Sequence, residues 1–222
     1  MNLTKIQNLT IHNITGIRSN KIIFQNINFS LEKGSLFIIQ GSNGSGKTTL
    51  LKIISGLLPK SQGDIIINNN FISENYLKDS LFYMDSTPSF KEDITLLDYL
   101  IYWNTLYNGL QNISYEYIRT SLFQLGLSHL QNKKISTLSL GQKKRLLISK
   151  LLLTNKQLWI LDEPLIGLDK YWIKIFSTIL LKHCKRGGII IMSTHTDLNI
   201  KKNTFLILNT TNKFIQTLNN LI

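Results

Sequence analysis

The sequence predicts an α/β fold with a mostly parallel core sheet carrying an inserted helical subdomain, and three observations predict it. Short β-type runs alternate with stretches of helical periodicity at both ends of the chain. A Gly-rich loop, Gly41 to Thr48, joins an apolar run to a helical one. Between them, from about Thr95 to Leu153, the pattern is helical throughout, punctuated only at Asn108-Gly109 and Gly126.

The first elements are β-type runs at Thr10 to Thr15, Lys21 to Leu31 and Ser35 to Gln40. A helix over Thr49 to Leu57 follows the Gly-rich loop, with Leu50, Leu51, Ile53, Ile54 and Leu57 at helical spacing and a stop before Pro59. Ile65-Ile66-Ile67 and Leu81 to Met84 read as further strands. After the helical block, Leu158 to Leu161 reads as a buried strand, Tyr171 to Cys184 as a helix and Ile189 to Met192 as another strand. Phe205 to Leu208 and Phe214 to Leu218 add edge strands.

A chain of 222 residues, 43% of them apolar, fits one large domain, or a core with one inserted subdomain, and buries a real hydrophobic core. No run approaches the ~18 unbroken apolar residues of a membrane span. Met1 to Thr10 has neither a secretory apolar region nor the Arg-rich look of a transit peptide, so the protein is expected to act where it is made. The single cysteine, Cys184, excludes an intramolecular disulfide and reads as a core residue near a helix end. The net charge of +12 is spread over scattered lysines, which favours a generally basic surface over a nucleic-acid groove. The chain has no alanine and no valine while Ile, Leu, Asn and Lys abound, the pattern of an AT-rich genome such as an organelle or a reduced bacterium.

Gly41, Ser42, Asn43, Gly44, Ser45, Gly46, Lys47 and Thr48 satisfy G-x-x-x-x-G-K-[ST] in full, between an apolar strand and a helix. Glycines let backbone N–H groups close around phosphates, and the helix N-terminus favours anions. Lys47 is expected to reach the β- and γ-phosphates of ATP and the Thr48 hydroxyl to ligate Mg²⁺; Thr49 completes the ATP-binding run. Leu158 to Leu161 then delivers Asp162 and Glu163 to the end of a buried strand, in the crevice where a parallel sheet binds its ligand. Alone, the two acids read better as an ordinary turn before Pro164. Following a phosphate loop, they read as a Mg²⁺ holder, Asp162, and a general base, Glu163. His195 follows the next strand through Ser193-Thr194, which puts it at the same sheet edge, near the γ-phosphate. A lone histidine at a strand end is more often bland.

Leu138-Ser139-Leu140-Gly141-Gln142 resembles the LSGGQ signature of the ABC ATPase family, with Leu140 in place of the first glycine, and Asp162 follows Gln142 by 20 residues. The resemblance covers nearly the whole chain, in the order phosphate loop, signature, acidic strand, Gly167-Leu168-Asp169, His195. It implies a P-loop NTPase core of the ABC ATPase type, with an N-terminal antiparallel β portion, in one nucleotide-binding domain over 1–222. Residues 1–85 and 155–222 would form the β portion and α/β core, and about 86–154 the helical subdomain. It also implies a head-to-tail homodimer in which Ser139, Leu140, Gly141 and Gln142 face the ATP of the opposite subunit, Asp169 lies at the seam and His195 contacts the γ-phosphate. Integral-membrane transporter subunits are the implied partners, and no nucleic acid is expected. Aromatics near Trp103 and Tyr107, with the gap around Ser86 to Phe90, would form the groove for a short helix of such a subunit.

The chain departs from the family pattern twice. The position of the glutamine that senses Mg²⁺ falls on Ser86, in Tyr83-Met-Asp-Ser86-Thr-Pro88, and the adenine-stacking aromatic is replaced by Ile17-Arg18. Chain length, the altered signature, Leu158-Trp-Ile-Leu-Asp-Glu-Pro164, Asp169-Lys170, and Gly187 to His195 followed by Asp197-Leu198 resemble one subfamily, the ATP-binding subunits of the haem exporters of cytochrome c maturation. That implies haem delivery or export at an inner membrane, on the matrix side in mitochondria or the cytoplasmic side in a bacterium. A transporter ATPase for another substrate, and a soluble ABC ATPase of translation or DNA repair, remain the competing readings. The latter usually has two cassettes or a long coiled-coil insertion, which this chain lacks.

Overall fold

The computed structural model describes residues 5–71, 80–87, 89–109, 114–196, 198, 204–208 and 215–219. Pro88, Asp197 and Phe214, singled out in the sequence, lie outside them. The chain divides into two compact units, one of Met1–Ser86, Lys156–Glu163 and Thr178–Ile222, the other of Thr87–Asn155 and Pro164–Ser177.

The first unit holds two sheets. In one, β1 (Asn8–Arg18) and β2 (Lys21–Glu32) pair antiparallel, and β4 (Gln62–Ile67) and β5 (Asn70–Phe71) extend it in the order β2-β1-β4-β5. Ser19 and Asn20 make the β1–β2 turn with φ of 49° and 60°. Two successive positive φ values give the turn whose twist matches paired strands, and Asn tolerates them better than most residues. The alternate residues Ile27, Phe29 and Leu31 are buried, as one covered sheet face requires.

The second sheet comprises β3 (Leu36–Gly41), β6 (Leu81–Met84), β7 (Leu158–Asp162), β8 (Ile189–Ser193), β9 (Thr204–Leu208) and β10 (Ile215–Asn219) in the order β10-β9-β3-β8-β7-β6. All pair parallel except β9 with β10. Every residue of β7 and β8 is buried, as strands covered on both faces must be. The two sheets share one core, in which Phe29 stacks on Phe37 at 4.3 Å between ring centroids. One expectation is corrected: Phe205 to Leu208 does not form an edge, because β9 lies between β10 and β3, and its Leu206 and Leu208 are buried. The parallel register sets Ile39 of β3 and Asp162 of β7 both against Ser193 of β8, and Met84 of β6 against Leu161. Four strands therefore end at one level.

Helix α1 (Lys47–Ile54) begins at the Gly-rich loop and stops three residues earlier than its apolar spacing predicts. Gly56, at φ 72°, donates to the Ile53 carbonyl at 3.0 Å, and the Leu57 N–H donates to Lys52 at 2.9 Å. This left-handed closure ends the helix before Pro59 is reached.

The second unit is helical: α2 (Leu96–Asn108), α3 (Tyr115–Gln124), α4 (Leu140–Leu153) and the start of α5 (Lys170–Lys185), as far as Ser177. The Thr95 hydroxyl caps α2 through the Asp98 N–H, and Gly109, at φ 82°, ends it. Helix α4 packs on α2 and α3, and its Leu146, Leu147 and Leu151 are buried. Trp103 and Tyr107 are not the presented aromatics expected from the sequence. Trp103 is half-buried among Tyr99, Tyr102 and Tyr107, with the Lys150 ammonium 3.3 Å from its ring centre. A half-apolar helix with aromatics one turn apart spends them on its own packing first. Tyr102 and Leu106 are the exposed pair. No helix among the described residues is long and apolar enough to cross a membrane.

Candidate active site

The end of β3 turns into α1 through Gly41 to Gly46. Gly46, the residue before α1, has φ 99° and offers no side-chain cap, so the first N–H groups of α1 point out of the helix without a protein acceptor from that position. A Cβ on Gly46 would lie 2.5 Å from Ile23 Cγ2, and one on Gly41 2.4 Å from the Leu208 carbonyl oxygen and 2.6 Å from Ser45 Oγ. Only glycine fits both. Ser42, Asn43 and Gly44 are exposed, while Ser45 and Lys47 are buried. The Lys47 ammonium donates to the carbonyls of Gly41 at 2.7 Å and Ser42 at 3.1 Å, which leaves one N–H for a phosphate. The Ser45 hydroxyl is buried with no hydrogen-bond partner. A loop with uncapped N–H groups, an inward cation and an orphaned hydroxyl fits the phosphates of a nucleotide.

The strand ends supply the rest. Asp162, fully buried, accepts from the Thr48 hydroxyl at Oδ2, 2.8 Å, and from the Ser193 hydroxyl at Oδ1, 2.7 Å. Ser193 in turn accepts the Glu163 N–H at 2.9 Å. Glu163 has φ 45°, a left-handed conformation that costs a non-glycine residue about 1 kcal/mol or more. The Ser193 hydroxyl, accepting its N–H, holds it there. Its carboxylate Oε1 lies 3.3 Å from His195 Nε2, with the Glu163 side chain largely covered and the His195 side chain about half exposed. The sequence had singled out Thr48, Asp162, Glu163 and His195, and the structure brings all four together. Ser193 carries no motif that singles it out, although its polarity at the end of the apolar run Ile189 to Met192 is a signal. Thr48 and Asp162 supply hard oxygen donors but form no cage, the arrangement suited to Mg²⁺, which takes its remaining ligands from phosphates and water.

Ser86 follows β6, and its hydroxyl donates to Asp85 Oδ1 at 3.3 Å, while Asp85 pairs with Lys52 at 3.5 Å. Tyr83, in β6, has its phenol pushed well above the usual range by burial and by the charges of Asp162 and Asp85. Arg18 is exposed on the β1–β2 hairpin.

In the helical unit, Ser139 caps α4. Its hydroxyl accepts the Gln142 N–H at 3.2 Å, and Gln142 Oε1 accepts the Ser139 N–H at 2.8 Å. The Ser139 O–H remains available as a donor. Leu140 is 83% exposed, so the residue that replaces a glycine in the signature presents a bare isobutyl group. Gly141 lies against the Gly167 carbonyl, where a Cβ would come within 3.2 Å. Asp169 is exposed, and its carboxylate accepts the Trp172 N–H at 3.0 Å, capping α5.

These features define a nucleotide-binding cassette, and residues 24–166 match the ABC transporter family. The chain belongs to that family and is one of its ATP-binding ATPases, in which hydrolysis is coupled to transport. Among curated proteins it is similar to the cytochrome c biogenesis ATP-binding export protein CcmA of Aliivibrio fischeri. The two are 36% identical over 197 residues, spanning 88% of this chain and 95% of that protein. The same-named protein of Mesorhizobium japonicum is 34% identical over 193 residues, 87% and 94% of the two chains. Among solved structures, an ABC transporter ATP-binding protein of Pyrococcus furiosus superposes with a TM-score of 0.78. It is 28% identical and covers 92% of this chain and 98% of its own. An ATP-binding subunit of an ABC transporter gives 0.79 at 25% identity, with 95% and 90% covered. The ABC ATPase fold expected from the sequence is the fold these structures share.

Proposed function

We propose that the chain is the ATP-hydrolysing subunit of a membrane exporter serving cytochrome c biogenesis, and that the cargo whose delivery it drives is haem. The observation that carries the catalytic part is the Asp162 carboxylate, fixed between Thr48 and Ser193 beside the Glu163–His195 pair. The pathway rests on the curated relatives, each named for cytochrome c biogenesis and export. On this reading residues 1–85 and 155–222 form the β portion and α/β core, about 86–154 the helical subdomain with the signature, and the whole acts as one nucleotide-binding domain. The chain sits against integral-membrane subunits at an inner membrane. The relatives reported above are bacterial, which favours a cytoplasmic face; the AT-rich composition alone speaks for the mitochondrial matrix face.

The phosphate loop binds: Gly41 to Thr49 wrap the phosphates, with Lys47 neutralising the β- and γ-oxygens. Thr48 and Asp162 would hold Mg²⁺, which, when bound, neutralises the charge that develops on the phosphate oxygens. Glu163 orients the attacking water and takes its proton at a carboxylate oxygen. His195, in contact with that carboxylate, donates to the γ-phosphate. A second copy of the chain supplies Ser139, Leu140, Gly141 and Gln142 across a head-to-tail seam that includes Asp169. ATP holds the two copies together, and its hydrolysis releases them.

Replacing Glu163 by Gln tests both halves. Purified protein should bind ATP, lose turnover on the order of 10²-fold and accumulate as an ATP-bound dimer. In the native host, c-type cytochromes should lose covalent haem while b-type cytochromes persist. Haem staining of separated proteins reads this out, and normal c-type staining with Glu163→Gln as the only copy removes the pathway assignment.

A further inference from the structure

The helical unit carries a cation, Arg145, that bears on both turns this unit contributes to the proposed pairing. Arg145 lies on α4, six residues beyond the Ser139 cap. Its guanidinium carbon lies 4.1 Å from the centre of the Trp172 ring, and Nη1 donates to the carbonyls of Leu125 at 2.7 Å and Gly126 at 3.4 Å. Trp172 is in the first turn of α5, and its own N–H is the one that Asp169 accepts. Gly126, at φ 62°, has no room for a side chain: a Cβ there would lie 2.7 Å from Trp172 Cη2 and 3.1 Å from Arg145 Nη1. At the other end, Gly141 rests against the Gly167 carbonyl. The signature turn and the Gly167–Asp169 turn thus touch at their tips and are tied at their bases through one stacked guanidinium.

We propose that Arg145 is a positioning residue which, stacked on Trp172, locks the signature turn and the Asp169 turn into one rigid lip offered to a second copy of the chain. The proposal rests on the head-to-tail pairing above. Arginine is the side chain that does this, because its planar fork stacks on an indole face and still donates in its own plane. Lysine keeps the charge and loses the geometry. Burial lowers the pKa of this guanidinium and the Asp169 charge opposes that shift, so the ion sits between a covered aromatic face and an exposed carboxylate. Pairing of two copies must order both turns at once. Ordering them beforehand removes that cost from association.

The test uses the full chain carrying Glu163→Gln, with ATP-driven dimerisation read by sedimentation and nucleotide affinity by a fluorescent ATP analogue. Adding Arg145→Lys or Trp172→Ala should weaken dimerisation on the order of tenfold or more, while nucleotide affinity stays within about twofold. Trp172→Phe, which keeps a ring under the guanidinium, should retain dimerisation to within about threefold. Arg145→Lys combined with Trp172→Ala should be no worse than either alone, because both remove the same contact. Dimerisation unchanged in Arg145→Lys and Trp172→Ala overturns the proposal. So does equal loss of nucleotide affinity and dimerisation, or loss in Trp172→Phe as severe as in Trp172→Ala, since either marks a merely structural role. If Glu163→Gln alone never dimerises with ATP, the pairing itself is wrong, a result distinct from failure of the lock.

Discussion

Glu163 sits in a conformation that its side chain disfavours, and the hydroxyl that holds it there is that of Ser193. The same hydroxyl donates to Asp162, so a single buried oxygen orients both acids. Replacing Ser193 by Ala leaves Asp162 Oδ1 and the Glu163 N–H without this partner in a site where water cannot easily substitute. The expected stability loss is about 1–3 kcal/mol. Because the carboxylate of Glu163 is then free to drift, kcat should fall by roughly tenfold or more while the KM for ATP changes little. Urea midpoints and steady-state kinetics measure the two effects, and a rise in KM at constant kcat would show that Ser193 serves binding instead. Thr48, Asp162, Glu163 and His195 were legible in the sequence because spacing and residue type carry their chemistry. Ser193 was not, because a serine at a strand end acquires its role only from the neighbour that the sheet register sets beside it. The lock on Arg145 was invisible for the same reason: its partners Leu125, Gly126 and Trp172 are brought together by packing.

At the scale of elements, apolar periodicity placed nearly every strand and helix, and the misses have physical causes. The end of α1 is set by a left-handed glycine instead of by the next proline, and β9 lies inside the sheet while β10 takes the edge, because neither pairing partners nor strand order can be read from a run of five residues. Helix α5 shows what else the pattern hides. His183, in its last turn, stacks on Trp159 of β7 at 3.6 Å between centroids, and its Nε2 donates to the Gln157 carbonyl at 2.9 Å. Burial is the main cause that pushes its pKa down to about 4; the hydrogen bond opposes it and the Arg186 charge adds to it. The unfolded chain, with His near 6.5, binds this proton more readily than the folded one between those values. Stability is therefore fully present above about pH 6.5 and is lost progressively as pH falls toward about 4, by up to roughly 3 kcal/mol from this group. His183→Gln should lower stability at pH 7.5 and flatten the decline between pH 7 and pH 5. Urea midpoints across that range decide it; an equally steep decline in the variant assigns the effect elsewhere.

For the whole molecule, the unusual quantity is a net charge of +12 on a chain proposed to meet a second copy of itself. Two such copies repel, and magnesium-bound ATP offsets only about two charges on each, since its phosphates carry roughly four and the cation cancels two. That repulsion is long-ranged and spread over scattered lysines. In the proposed pairing, the contacts that favour it, a phosphate loop on one copy against a capped helix on the other, would be short-ranged and shielded from solvent once formed. Salt therefore acts on the two unequally. Between about 10 mM and about 150 mM the Debye length falls from roughly 30 Å to roughly 8 Å, which removes most of the repulsion between surfaces and little of the attraction across a closed seam. ATP-driven dimerisation of Glu163→Gln should accordingly strengthen, on the order of tenfold, over that range of added potassium chloride. Sedimentation at matched nucleotide saturation measures it. A dimer that weakens with salt would mean that exposed opposite charges hold the two copies together, and that repulsion between their basic surfaces does not limit pairing.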